Sequence, residues 1–195
     1  MVALVLASRS AARRALLSQA GVAYEAVDAG VDEDAIKADF TGSPATLAVE
    51  LAKAKALAVS NKRPGVVVLG ADQTLDFEGE RVSKAASLEE ARARLQTMAG
   101  RSHSLHSGLA LAREGAVIWT GLNSARMTMR DFSPEFLDHY LSSEGDGVLS
   151  SVGSYRLEGL GAQLFARIEG DYFTILGLPL WDLLAELRRL DVIAT

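Results

Sequence analysis

Residues Val66 to Lys84 read VVVLGADQTLDFEGERVSK, and this stretch decides the fold. The β-branched run predicts a buried strand that ends at Gly70-Ala71 and delivers one carboxylate, Asp72, at its tip. A short polar hairpin follows, with Glu78-Gly79 at its turn, and then Lys84. A hydrophobic strand gains nothing from an acid at its tip unless that acid meets solvent, a metal or a substrate. Strand ends in α/β sheets are where ligands sit. Taken alone, a solvated turn aspartate is the plainer reading.

A second segment of the same form weakens that plainer reading. Val2 to Gln19 reads VALVLASRSAARRALLSQ. Val2–Ala7 is an apolar strand, too short for a membrane span or a signal segment. Ser8-Arg9-Ser10 breaks it, and from Ala11 to Ala20 the apolar residues fall at helical spacing with Ser10 as N-cap. A strand entering a helix through a Ser-rich turn aims free backbone N–H groups and a positive dipole end at one spot. Arg9, Arg13 and Arg14 lie around that spot. Arginine opposes the dipole there, which favours a bound anion as the reason for it.

The chain has 195 residues, 49% of them hydrophobic, enough for one domain with a real core. Its formal net charge of −5 argues against sequence-independent binding to nucleic acid or to a membrane surface, both of which need a basic face. With no cysteine there is no disulfide frame, thiolate metal site or cysteine nucleophile. No leader or spanning segment is visible, so the expected location is the cytoplasm.

Strands and helices alternate along the chain. A strand is expected near Ala23–Val27, followed by an acidic loop from Asp28 to Asp39. Ser43-Pro44 opens a helix to about Ser60. Ser87-Leu88-Glu89-Glu90 is a capping box for a helix ending at Gly100. His103–Arg113 and Ala116–Arg130 read as two long strands about Glu114-Gly115. Ser133-Pro134 starts another helix, Gly145–Gly161 reads as loop, Gln163–Glu169 as a strand and Pro179–Leu190 as a closing amphipathic helix. The order predicts a mixed sheet in an α/β domain.

Smaller groupings carry less. Asp32, Glu33 and Asp34 offer oxygen ligands to a hard cation, or form a solvated acidic loop. Of Lys53 and Lys55, one is expected at the surface and the other toward a cleft. His103 and His106 fall on opposite strand faces, so they do not share a metal. His139 is a lone helical histidine. No nucleophile elbow and no phosphate loop of the Walker type is present. In the run Gly153 to Gly161, Glu158 sits between Leu157 and Gly159, where a carboxylate suits the paired N–H donors of a base such as guanine.

Taken in order, LASRSAARRALL, GADQTLDFEGERVSK, MAGRSHSLHSG, GSYRLEGLGAQLFARIEGDY and TILGLPLWDLL resemble the Maf family of nucleoside triphosphate pyrophosphatases, first named for septum formation. The resemblance spans Leu6 to about Leu184. It implies an elongated mixed β-sheet with flanking helices, two lobes around a central cleft, and a homodimer. It also implies hydrolysis of a nucleoside triphosphate to monophosphate and pyrophosphate with Mg²⁺ or Mn²⁺. Carried over by position, Asp72 is the proton acceptor, and Ser8, Ser10, Arg13 and Arg14 form the N-terminal phosphate motif. Lys55 and Lys84 are further phosphate contacts, and Glu33 joins Asp72 at the metal.

Three positions separate substrate branches of that family. They read Arg, Thr and Gln in the dTTP/UTP branch, and Trp, Gln and Glu in the 7-methyl-GTP branch. Here they are Ala12, Gln73 and Glu158, so two of three lean to the second branch, while Ala12 offers no aromatic face for stacking. Ala85 stands where the family has proline, and its "SPRR" reads Ser10-Ala11-Ala12-Arg13. The expectation is retained chemistry with an altered base preference. Its rivals are a dTTP/UTP-selective enzyme, a nucleotide-sensing regulator with little turnover, and an α/β phosphoryl or nucleotidyl transferase.

Overall fold

The computed structural model describes residues 4–194. One mixed seven-stranded sheet runs in the order β2-β1-β3-β5-β6-β7, with β4 beside β3. Strand β1 (Leu4–Ala7) pairs parallel with β2 (Glu25–Val27) and with β3 (Val67–Phe77). Helix α1 (Ala11–Gln19) connects β1 to β2, and α3 (Pro44–Ser60) precedes β3. β3 continues through a hairpin into β4 (Glu80–Val82), then α4 (Leu88–Met98). The long antiparallel pair β5 (Ser102–Arg113) and β6 (Ala116–Met129) follows, with α5 (Pro134–Glu144) after it. β7 (Phe165–Glu169), a short α6 (Tyr172–Ile175) and α7 (Leu180–Arg189) close the chain. Val2 and Ala3, expected in the first strand, lie outside the described residues.

β3 does not end at Gly70-Ala71. It runs for 11 residues, so Asp72 lies in its middle rather than at its tip. The reason is that Gly70 acts as a spacer, not a breaker. A Cβ at Gly70 would stand 2.0 Å from the Ala52 carbonyl oxygen and 2.7 Å from the Ala56 nitrogen of α3. At Gly108 of β5 a Cβ would stand 2.4 Å from the Ala48 carbonyl carbon. Ala52 and Ala56 of α3 pack against Ala110 and Ala112 of β5 in the same layer. Helix α3 therefore rests almost backbone to backbone on the two central strands.

Two hydrophobic cores sit at the two ends of these strands. Val67, Leu69 and Ala71 of β3 pack with Leu16 and Leu17 of α1 and Leu183 and Leu187 of α7. Further along, Leu75 packs with Leu95 and Met98 of α4, Met127 of β6 and Tyr140 of α5. Each buried leucine stabilises its lobe by about 1.5–3 kcal/mol. Between the cores the strand carries Asp72, Gln73 and Thr74. The outer edge of β3 is also open there, since β1 covers residues 67–69 and β4 covers residues 75–77. An uncovered strand edge between two lobes is the floor of a cleft.

Other departures are local. The acidic segment read as a loop contains α2 (Glu33–Asp39), because Asp32 caps it by accepting from the Ala35 N–H at 3.0 Å and its acids lie in the first turn. The run 145–161 is not wholly loop. A 3-10 helix spans Gly145–Ser150, and a second, Leu160–Leu164, delays β7 to Phe165. Helix α6 was not foreseen. The hairpin turn is as expected, with Glu78 and Gly79 both at positive φ (58° and 87°), the conformation that matches strand twist. His103 is buried against the Tyr155 hydroxyl at 2.6 Å, while His106 bonds Ser124 Oγ at 2.7 Å on the other face. His139 is exposed on α5. Among the described residues no helix is long and apolar enough to cross a membrane.

Replacing Gly70 by alanine forces α3 off the sheet. The expected loss is about 2–3 kcal/mol of unfolding free energy in urea, the cost of overpacking a tight layer. An unchanged urea midpoint would contradict this packing.

Candidate active site

The cleft has a volume of about 1260 Å³ and is lined by the turn after β1, the start of α2, Lys55, the centre of β3, Lys84 and the 150–158 segment. Its first wall is the entry to α1. Ser10 caps the helix by accepting from the Arg13 N–H at 3.4 Å, and Ser8 Oγ accepts from the Ser10 N–H at 3.2 Å. The helix N-terminus is thus open to the cleft, with the orphan N–H groups of its first turn available to an anion.

Arg13 is buried and ties this turn to two other segments. Its Nε donates to the Gly177 carbonyl at 2.8 Å, and Nη1 donates to the Ala71 carbonyl at 2.9 Å and to Ser8 Oγ at 3.3 Å. The Ala71 carbonyl belongs to the open edge of β3, so the arginine occupies the place of a missing strand. Nη2 has no protein acceptor among the described residues. Burial lowers the guanidinium pKa from its ordinary value, against the opposing charges of Asp72 and Glu33. Gly177, past α6, gave no functional signal in the sequence because only its backbone oxygen is used.

The second wall is a buried charge cluster. Lys55 Nζ on α3 donates to Asp72 Oδ1 at 2.5 Å and meets Glu33 Oε1 at 2.7 Å. Lys37, one turn beyond Glu33 on α2, reaches the other Glu33 oxygen at 3.1 Å. Burial, the largest single influence on Glu33, pushes its pKa up, yet the hydrogen bonds and charges of Lys55 and Lys37 together hold it at about 2. Lys84, on the strap after β4, lines the same cleft with no hydrogen bond or ion pair among the described residues. Desolvation by the cleft walls lowers its pKa, aided by Arg13 and Lys55 and opposed by Glu33 and Asp72.

Ala12, Gln73 and Glu158 also line the cleft. Gln73 Nε2 lies 3.0 Å from each of three acceptors, Ser107 Oγ, the Thr174 carbonyl and the Ile175 carbonyl, which share its two hydrogens. Glu158 lies 3.6 Å from Arg156 Nε, a loose pair on a segment that the sequence suggested only through its glycines. Thr74 Oγ1 donates to the Pro44 carbonyl at 2.7 Å and so fastens the floor to the start of α3.

Nearly all the expected site residues therefore share one cavity. Ser8, Ser10, Ala12, Arg13, Glu33, Lys55, Asp72, Gln73, Lys84 and Glu158 all line it. Arg14 does not, being exposed on α1. Lys53 pairs with Glu50 at 2.7 Å away from the cleft, which leaves Lys55 as the inward lysine of the two. Asp32 is spent on the α2 cap and Asp34 on Lys37 at 3.2 Å, so Glu33 alone of the three faces Lys55. Sequence reasoning missed Lys37, because a segment read as loop has no i,i+4 partner, and it missed Ser107 and Thr174, which look like core.

A cleft that joins a helix N-terminus and buried cations to two carboxylates, across a mixed sheet, defines an α/β protein built to hold a polyanion. The chain belongs to the family described as Maf-like protein, whose model matches residues 3–190. It is 54% identical over 186 residues to a nucleoside triphosphate pyrophosphatase of Caulobacter vibrioides, covering 94% of this chain and 93% of that protein. It is 50% identical over 191 residues to a 7-methyl-GTP pyrophosphatase of Brucella suis, covering 96% of each. Among solved structures, a HAM1 protein of Coxiella burnetii is similar at a TM-score of 0.43 and 18% identity, over 66% of this chain and 73% of that one.

The depressed Glu33 pKa sets a pH dependence. Its folded value of about 2 lies below the ordinary 4.5, so its ion pairs stabilise the fold fully above pH 4.5 and cease to do so as pH falls toward 2. With its side chain 36% exposed, solvent screening limits this to about 1 kcal/mol. Urea midpoints of the wild type and of Glu33→Gln should differ at pH 6, draw together below pH 4.5 and converge only as pH falls to about 2. A constant gap would contradict the pairing.

Proposed function

We propose that this protein is a nucleoside triphosphate pyrophosphatase that cleaves its substrate to the nucleoside monophosphate and pyrophosphate. The observation that carries the reading is the single cavity in which Lys55 clamps Asp72 and Glu33 beside Arg13, Lys84 and the start of α1. Its likeness to relatives bearing that activity in their names supports the same reading. The triphosphate lies against the N–H groups following Ser10, with Arg13 Nη2, Lys84 and Ser8 around it. Lys55 occupies Asp72 Oδ1 and so turns Oδ2, which has no protein partner among the described residues, toward the reacting centre.

In the reaction a water oxygen bonds to the α-phosphorus. The bond from that phosphorus to the α,β-bridging oxygen breaks, pyrophosphate leaves, and Asp72 takes the proton of the water. Arg13 and Lys84 stabilise charge that shifts onto the leaving group. A divalent cation is compatible with Glu33 and Asp72, whose oxygens keep lone pairs beyond those given to Lys55 and Lys37, because Mg²⁺ and Mn²⁺ take one or two protein carboxylates with phosphate and water oxygens. Those residues would hold it, and it would neutralise phosphate oxygens. No group of three or more histidine, cysteine or acidic side chains suited to an all-protein metal site occurs among the described residues.

Glu158 and Gln73 support a guanine-type base, and 7-methyl-GTP is the substrate for which the Brucella suis relative is named. The reading includes a homodimer in the cytoplasm, supported by family likeness, and no nucleic-acid partner, supported by the net charge of −5.

Incubation with a panel of nucleoside triphosphates and Mg²⁺ tests the proposal. Monophosphate and pyrophosphate are the expected products, and Asp72→Asn should lower kcat by about 10²–10⁴-fold with an unchanged far-ultraviolet spectrum. Orthophosphate as product, or full activity in the variant, would overturn it.

A further inference from the structure

In the period-two row of β3 that faces α6 and α7, Val67, Leu69, Ala71 and Leu75 are apolar and fully or nearly buried, and Gln73 is the one polar member. Its neighbour across the β3–β5 ladder is Ser107, wholly buried. Ser107 Oγ donates to the Thr174 carbonyl at 2.7 Å and accepts from Gln73 Nε2 at 3.0 Å. Thr174 is fixed in turn by Asp171, which caps α6 by accepting from the Thr174 N–H at 3.0 Å and from its hydroxyl.

Every group around the inner end of the Gln73 amide is an acceptor. The Thr174 and Ile175 carbonyls have only lone pairs, and the one Ser107 hydrogen is directed at Thr174. An amide oxygen placed there would meet no donor, so the nitrogen is held inward and Oε1 is left for the cleft. We propose that Ser107 is a positioning residue for base selection: by fixing the Thr174 carbonyl and sharing one of the two Nε2 hydrogens it holds Gln73 so that the cleft presents a fixed acceptor, Oε1, to an N–H of the nucleobase. This rests on the pyrophosphatase reading above and extends it to a residue that never touches substrate. A fixed acceptor selects bases with a matching donor, because the wrong base leaves a desolvated oxygen unpaired.

The test compares kcat/KM for GTP, 7-methyl-GTP, UTP and dTTP in the wild type, Ser107→Ala, Gln73→Ala and the double variant. Ratios between substrates are insensitive to any loss of folded protein, so a purely structural role leaves them unmoved. Ser107→Ala should flatten the ratio of best to poorest base by about 5- to 10-fold, the size of one hydrogen bond, through KM rather than kcat. Gln73→Ala should flatten it at least as much, and the double variant no further. Should Ser107→Ala not fold, Ser107→Cys, near in shape but a weak donor and acceptor, is read the same way. An unchanged ratio in Ser107→Ala while Gln73→Ala shifts it overturns the proposal, as does an additive effect in the double variant or no shift in Gln73→Ala. Absence of monophosphate from the wild type instead overturns the underlying reading, and the proposal falls with it.

Discussion

The close seating of α3 on the sheet is the constraint on which the site depends. At Gly70 and Gly108 a single added Cβ would collide with the helix backbone, so the Ala-rich face of α3 lies flush on β3 and β5. Lys55 is the neighbour of Ala56, the residue that meets Gly70, and Asp72 is two places beyond that glycine. The contact that packs the sheet thus also sets Lys55 Nζ against Asp72 Oδ1. Site geometry comes from an apolar layer whose energy is independent of substrate, which is how a rigid scaffold pre-places reacting groups.

Burying that lysine requires partners. An ammonium removed from water costs several kcal/mol, recovered only where charges and hydrogen bonds are well placed. Asp72 and Glu33 supply them from two different elements, and Lys37 then balances Glu33 from outside. Arg13 spends three hydrogen bonds on carbonyl and hydroxyl oxygens, joining the α1 turn to β3 and to Gly177. The cleft therefore combines a neutralised cluster of acids and lysines with cationic groups that keep donors to spare, among them Arg13 Nη2 and Lys84. In the proposed reading, Arg13 and Lys84 answer the charge of the triphosphate and its reacting end lies at Asp72.

Much of this was legible in sequence, where a single local cause decides a feature. Ser10, Ser43, Ser87 and Ser133 each cap the helix expected of them, and Glu78-Gly79 forms the expected turn. Asp72, Lys55, Glu33 and Lys84 share a cavity as the ordered motifs imply. What escaped depends on tertiary context. Gly70 looks like a strand end but is a spacer for Ala52 and Ala56 of α3. The acids before Asp39 look solvated, yet they begin a helix. Arg14 and Arg13 are indistinguishable by type, and only the helix phase turns one inward and the other out. Ser107 and Thr174 read as core because what ties them to Gln73 is the Thr174 backbone oxygen, which Ser107 Oγ and Gln73 Nε2 both meet.

The position of attack tests this account most directly. Turnover in water enriched in oxygen-18, followed by mass spectrometry of both products, reports which phosphorus receives the new oxygen. With Asp72 acting on the α-phosphorus as proposed, the label should appear in the nucleoside monophosphate and be absent from pyrophosphate. Label in pyrophosphate, or release of labelled orthophosphate, would contradict the placement of the α-phosphorus against Asp72.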